Sequence, residues 1–130
     1  MPATPDQPAP TEAELGVLRV LWERGASTVR EVFDVIASGK AVGYTTVLKQ
    51  MQVMRRKGLV KRSERFRSHV YEAARTRPAT ERQIVTTLLA TVFDGSARGL
   101  LQSALAGRKV DADELREIRQ LLDEHERRTK

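Results

Sequence analysis

The sequence predicts a mainly α protein with one small β-hairpin, and three observations carry that prediction. Thr and Glu three residues apart, the spacing of a capping box, mark helix starts at Thr11 and Thr28. Apolar residues recur at helical spacing from Leu15 to Met54 and again from Ile84 to Leu122. Between these regions, past Gly58, the pattern changes to two short runs of β type.

The elements follow in chain order. The segment from Met1 to Pro10 holds Pro2, Pro5, Pro8 and Pro10 with few apolar residues, so residues 1–10 are expected to be a disordered tail. Thr11 with Glu14 opens the first helix, in which Leu15, Leu18, Leu21 and Trp22 share a face, and Arg24-Gly25 closes it. Thr28 with Glu31 opens a short second helix, whose Val29, Val32, Phe33 and Ile36 are placed to pack on the first. Ser38-Gly39 breaks it. From Tyr44 to Lys57 no breaker occurs, and Val47, Met51 and Met54 fall within about 60° of one another on a helical wheel. A third helix is expected there, ending at Gly58. Leu59–Ser63 and His69–Glu72 read as two antiparallel strands. The stretch from Glu64 to Ser68 lacks an Asn-Gly or Asp-Gly pair, which predicts a longer, mobile loop rather than a tight turn.

Three helices followed by a basic hairpin is the arrangement of a winged helix-turn-helix domain, assigned to residues 11–75. Residues 76–130 form a second region. Pro78 suits a helix start, and Ile84, Val85, Leu88, Leu89, Val92 and Phe93 give that helix a wide apolar face. After a break at Asp94-Gly95-Ser96 come Leu100, Leu101 and Leu105, and after another near Gly107 come Leu115, Ile118, Leu121 and Leu122. A helical tail of this size cannot bury three leucine-rich faces by itself and needs a partner. It is read as a helical dimerisation domain, with Ile84, Leu88, Val92, Leu100, Leu101, Leu115, Ile118 and Leu122 at the interface of a homodimer.

Composition narrows the function. A chain of 130 residues allows one compact domain, or a small one with a helical extension. No apolar run reaches about 18 residues and the first ten lack the apolar stretch of a secretory signal, so no membrane insertion and a cytoplasmic location are expected. The absence of cysteine excludes disulfides, thiolate metal sites and cysteine nucleophiles, leaving His69 and His125 as the only imidazoles. Neither histidine is paired with Ser or Asp in a recognisable nucleophile or metal pattern. No catalysis, metal or cofactor is expected.

Charge points elsewhere. Between Tyr44 and His69 eight basic residues face Glu64 alone, a net +7 that exceeds the +6 of the whole chain. The remainder is therefore close to neutral, and the basic charge is a local docking surface for a polyanion. On the third helix Thr45, Lys49, Gln52 and Arg56 form one stripe opposite the apolar face, flanked by Thr46 and Val53. Polar side chains on the outer face of a helix in the major groove read base edges, and cations grip phosphates. Thr45, Thr46, Lys49 and Gln52 are assigned to bases. Arg55, Arg56, Lys57, Arg62, Arg65 and Arg67, with Lys61, are assigned to phosphates. Phe66 is either a minor-groove wedge or a side chain folded back on the hairpin. His69 reads as a partly buried residue near a phosphate path, His125 as surface, and Trp22, Met51 and Met54 as core. The alternative function is a winged helix adaptor binding RNA or an acidic protein partner.

The residues also resemble the penicillinase-repressor family, known as BlaI/MecI, and its copper-responsive relatives. The likeness lies in TEAELGVLRVLW from Thr11 to Trp22, TVREV from Thr28 to Val32, YTTVL from Tyr44 to Leu48 and KGLV from Lys57 to Val60. FDGS from Phe93 to Ser96 and ELREIRQLLDE from Glu114 to Glu124 look like the family's dimerisation region. The resemblance implies a sequence-specific transcriptional repressor that binds palindromic operator DNA as a homodimer. It also shows departures. Family members often have arginine at the place of Val53. β-Lactam-responsive members are cut at an Asn-Phe bond, and Ala97 to Ser103 contains no such pair, so the sequence identifies no upstream sensor or protease. The copper-responsive relatives use a cysteine motif that this chain lacks.

Overall fold

The computed structural model describes residues 9–65 and 67–129. Their elements run α1 (Glu12–Arg24), α2 (Val29–Ala37), α3 (Tyr44–Lys57), β1 (Val60–Arg65), β2 (Ser68–Ala73), α4 (Arg77–Thr91), α5 (Ala97–Ala106) and α6 (Ala112–Thr129). This is the winged helix order followed by a helical region. The residues divide into two units between Thr87 and Leu88, inside α4.

Both capping boxes form. The Thr11 amide donates to Glu14 Oε1 at 2.9 Å and the Glu14 amide donates to Thr11 Oγ1 at 3.1 Å. Thr28 and Glu31 repeat the exchange at 2.8 and 3.1 Å. Each box satisfies two amides that the helix itself leaves free, which is why α1 and α2 begin where they do. Of the ten residues assigned by the sequence to the tail, Pro10 is buried and Ala9 half-buried; residues 1–8 lie outside the described residues. Helix α3 ends at Gly58, whose φ of 82° is left-handed and lets the Leu59 amide donate back to the Met54 carbonyl at 2.9 Å.

The core of the first unit joins Val17, Leu18, Val20 and Leu21 of α1 to Val29 and Val32 of α2, with Val47, Met51 and Met54 of α3, Val60 of β1 and Tyr71 of β2. Leu15, expected on the buried face of α1, is only half-buried, whereas Val17 and Val20 are buried. Helix α1 packs on α2, α3 and β2 at once, so more of its circumference is covered than a single stripe predicts. Trp22 is half-buried against the core, and its indole N–H donates to the Arg75 carbonyl at 2.9 Å, tying α1 to the chain leaving β2.

The hairpin corrects one expectation. Strand pairing continues to Arg65 opposite Ser68, leaving a two-residue connection in place of a loop from Glu64 to Ser68. Arg67 adopts a φ of 66°, the left-handed backbone that short hairpin turns require, without the glycine or asparagine that usually signals it. Strand β2 also gains a partner on its other edge. Ser27, between α1 and α2, exchanges hydrogen bonds with Tyr71 at 2.9 and 2.8 Å, pinning the hairpin to the helices.

In the second unit the breaks fall where the sequence places them, with Ser96 capping α5 through the Gly99 amide at 2.9 Å. None of its described residues is buried, and Val92, Leu121 and Leu122 are 62%, 61% and 56% exposed. Among the described residues no helix is long and apolar enough to cross a membrane.

Candidate nucleic-acid interface

Helix α3 has two opposed faces. Val47, Met51 and Met54 are at most 1% exposed and fix one face against the core. Thr45, Thr46, Lys49, Gln52, Arg55 and Arg56 are all exposed, and Val53 at the edge is half-buried. The stripe expected from periodicity is thus presented on a helix whose rotation is locked by three buried side chains. On the hairpin Lys61, Arg65 and Arg67 are exposed and Arg62 is half-buried. Phe66 lies outside the described residues.

Among the described residues no carboxylate pairs with Lys49, Arg55, Arg56, Lys61, Arg62, Arg65 or Arg67. With no carboxylate partner within ion-pair distance among the described residues, these seven cations make a concentrated basic surface on one helix and the hairpin that follows it. Gln52 of α3 and Arg62 of β1 line a common groove, so helix and hairpin meet there.

Lys57 differs from its neighbours. Its Nζ lies 2.8 Å from Glu14 Oε2, and the Glu14 side chain is only 5% exposed. Burial by itself would raise the Glu14 pKa. Hydrogen bonds from the Lys57 ammonium and the Thr11 amide, together with the Lys57 charge, outweigh it and hold the carboxyl below its ordinary value. Lys57 therefore neutralises a buried acid and joins the start of α1 to the end of α3. Glu31 is likewise held low, first by the Thr28 amide and then by Arg24.

His69, expected to be partly buried, is exposed at 52% of its side chain, with Nε2 3.9 Å from Glu64 Oε2. His125 is on the surface as expected.

The sequence reading missed Arg30 and Tyr44. Tyr44, the first residue of α3, meets Phe33 of α2 edge to face at 5.7 Å between ring centres. Arg30 lies over both rings, 5.8 Å from Phe33 and 5.5 Å from Tyr44. One signal was available: a cation in the first turn of a helix opposes the helix dipole and invites another explanation.

Of the eight residues expected at a dimer interface, Leu88, Val92 and Leu122 are exposed. Ile84, Leu100, Leu101, Leu115 and Ile118 are half-buried. Ile84 falls in the first unit and the others in the second.

Comparison with known proteins agrees with this architecture. The family model described as penicillinase repressor matches residues 10–124. Two relatives, each described as transcriptional regulator BlaI and drawn from two strains of Mycobacterium tuberculosis, are 30% identical over 118 residues. The match covers 88% of this chain and 83% of each relative.

Proposed function

This chain belongs to the penicillinase repressor family of transcriptional repressors, and from that premise we propose that it binds palindromic operators as a homodimer. The observation that carries the proposal is the two-sided α3. Its buried face fixes its rotation, and the opposite face offers Thr45, Thr46, Lys49 and Gln52. Those groups suit base edges in the major groove, while Arg55, Arg56, Lys61, Arg62, Arg65 and Arg67 suit the phosphates on either side.

Dimerisation rests on the second unit. Its leucines remain substantially accessible in the single chain, a state that water disfavours by about 25 cal/mol for each Å² of apolar surface. A second copy of the same helices covers that surface with a two-fold axis, and the axis dictates an inverted repeat. The half-site centres then fall about one helical turn, roughly 34 Å, or a multiple of it, apart. Repression follows from occupying the promoter, with no chemical step.

Selection of bound sequences from random duplex tests this reading, with sedimentation of the protein and of its complex. An enriched inverted repeat bound by two copies supports it. Recovery of no palindrome, or salt-insensitive binding, refutes operator recognition and favours an adaptor role.

A further inference from the structure

We propose that Arg30 is a further phosphate-contacting residue, acting from α2 across the groove that separates the start of α3 from the hairpin. The proposal rests on the reading of α3 as the DNA-facing helix and extends the gripping surface to a helix outside the basic segment.

Three observations place Arg30 in that role. First, its side chain is exposed but held: the guanidinium lies 5.5 Å from the centre of the Tyr44 ring and 5.8 Å from that of Phe33. A cation–π contact of this kind uses the charge of the guanidinium rather than its N–H groups, and those donors match the geometry of phosphate oxygens.

Second, no acid satisfies it. Among the described residues Arg30 has no carboxylate partner, although Glu31 is adjacent in the chain. The Glu31 oxygens are engaged by the Thr28 amide at 2.8 Å and by Arg24 at 3.4 Å. Arg30 also sits in the first turn of α2, where the helix dipole disfavours a cation. A held, uncompensated cation in an unfavourable field is accounted for by an anion that arrives from outside.

Third, its neighbours are those of a DNA groove. Arg30, Tyr44, Gln52, Arg62 and His69 line one depression between α2, α3 and the hairpin. Gln52 belongs to the stripe assigned to bases, and Arg62 to the cations assigned to phosphates. A DNA strand passing between α3 and the hairpin brings its backbone over this depression, which Arg30 lines from α2 and Arg62 from β1.

The test is a titration of the full-length protein with a selected palindrome and with random duplex of equal length, over a series of salt concentrations. Counterion release gives a slope of log K against log salt of about −0.9 for each phosphate neutralised. Arg30→Ala is expected to weaken binding to both duplexes by roughly tenfold and to reduce the slope by about 1.8 in a dimer. Arg30→Gln, which keeps a long side chain over the two rings but removes the charge, is expected to show the same loss of slope. Arg30→Lys is expected to retain the slope. Weaker binding by Arg30→Ala and Arg30→Gln with the wild-type slope intact would make Arg30 a packing residue and overturn the proposal, as would no change at all. A wild-type protein that prefers no duplex and shows no salt dependence would instead remove the underlying DNA reading, an outcome visible before any variant is made.

Discussion

Replacing Glu14 by Ala should destabilise the protein more than any exposed substitution on α3, although Glu14 is far in sequence from the helix it supports. The carboxylate makes two bonds at once, accepting from the Thr11 amide at 2.9 Å and from Lys57 Nζ at 2.8 Å. Losing the capping half costs about 1 kcal/mol, and losing a largely buried charge-assisted bond costs about 1.5 to 3 kcal/mol. The sum of roughly 2.5 to 4 kcal/mol corresponds to a fall in melting temperature of at least about 10 °C for a unit of this size. Urea denaturation of Glu14→Ala, Lys57→Met and the double variant measures the coupling between the pair directly. The pH dependence gives a second reading. Because the folded pKa of Glu14 lies below its ordinary 4.5, its contribution is present above that value and is lost as the pH falls through the folded pKa. The gap between wild type and Glu14→Gln should therefore close in acid. A coupling energy near zero at neutral pH, or a gap that stays constant down to strongly acid pH, would refute this account of Glu14. Lys57→Met should in addition leave the salt dependence of DNA binding unchanged, since Glu14 already neutralises that charge.

Three further outcomes are expected. Lys49→Ala or Gln52→Ala should narrow the gap in affinity between selected and random duplex by about 1 to 3 kcal/mol, whereas Arg65→Ala with Arg67→Ala should weaken both equally; competition binding separates the two patterns. Arg67→Gly should raise stability to urea by about 1 kcal/mol, because glycine accepts the left-handed backbone that arginine holds at a cost, while still weakening DNA binding through the lost charge. Leu122→Asp should leave the fold intact, since the side chain is 56% exposed in the single chain, yet weaken dimerisation at least tenfold by sedimentation; an unchanged dimer would move the interface off that face of α6.

Much of the fold was legible because helix ends are written in local chemistry. Thr11 with Glu14 and Thr28 with Glu31 satisfy amides within one turn, and Gly58 supplies a left-handed residue at the stop. The exposed stripe from Thr45 to Arg56 was legible for a related reason: three buried residues at helical spacing define the opposite side by geometry alone. The tight turn at Arg67 was not, because its backbone is imposed by the pairing of two strands rather than preferred by arginine itself. His69 was misplaced because alternation along a strand says which residues share a side, not how much of that side is covered.

The sequence by itself determined which segments are helices, where the hairpin begins, and that one segment concentrates the positive charge. Tertiary structure alone decided what individual side chains do with that frame. Lys57 reads as one cation in a basic run until α3 crosses Glu14, 43 residues away, and turns it into the partner of a buried acid. Ser27 reads as a loop residue until it pairs with Tyr71, and Trp22 as simple core until its N–H finds Arg75, 53 residues on. Arg30 sits outside the basic segment until α2 brings it over the first ring of α3. Periodicity and capping act within a turn or two of helix, whereas these contacts depend on where distant elements cross, and that is fixed only when the core closes.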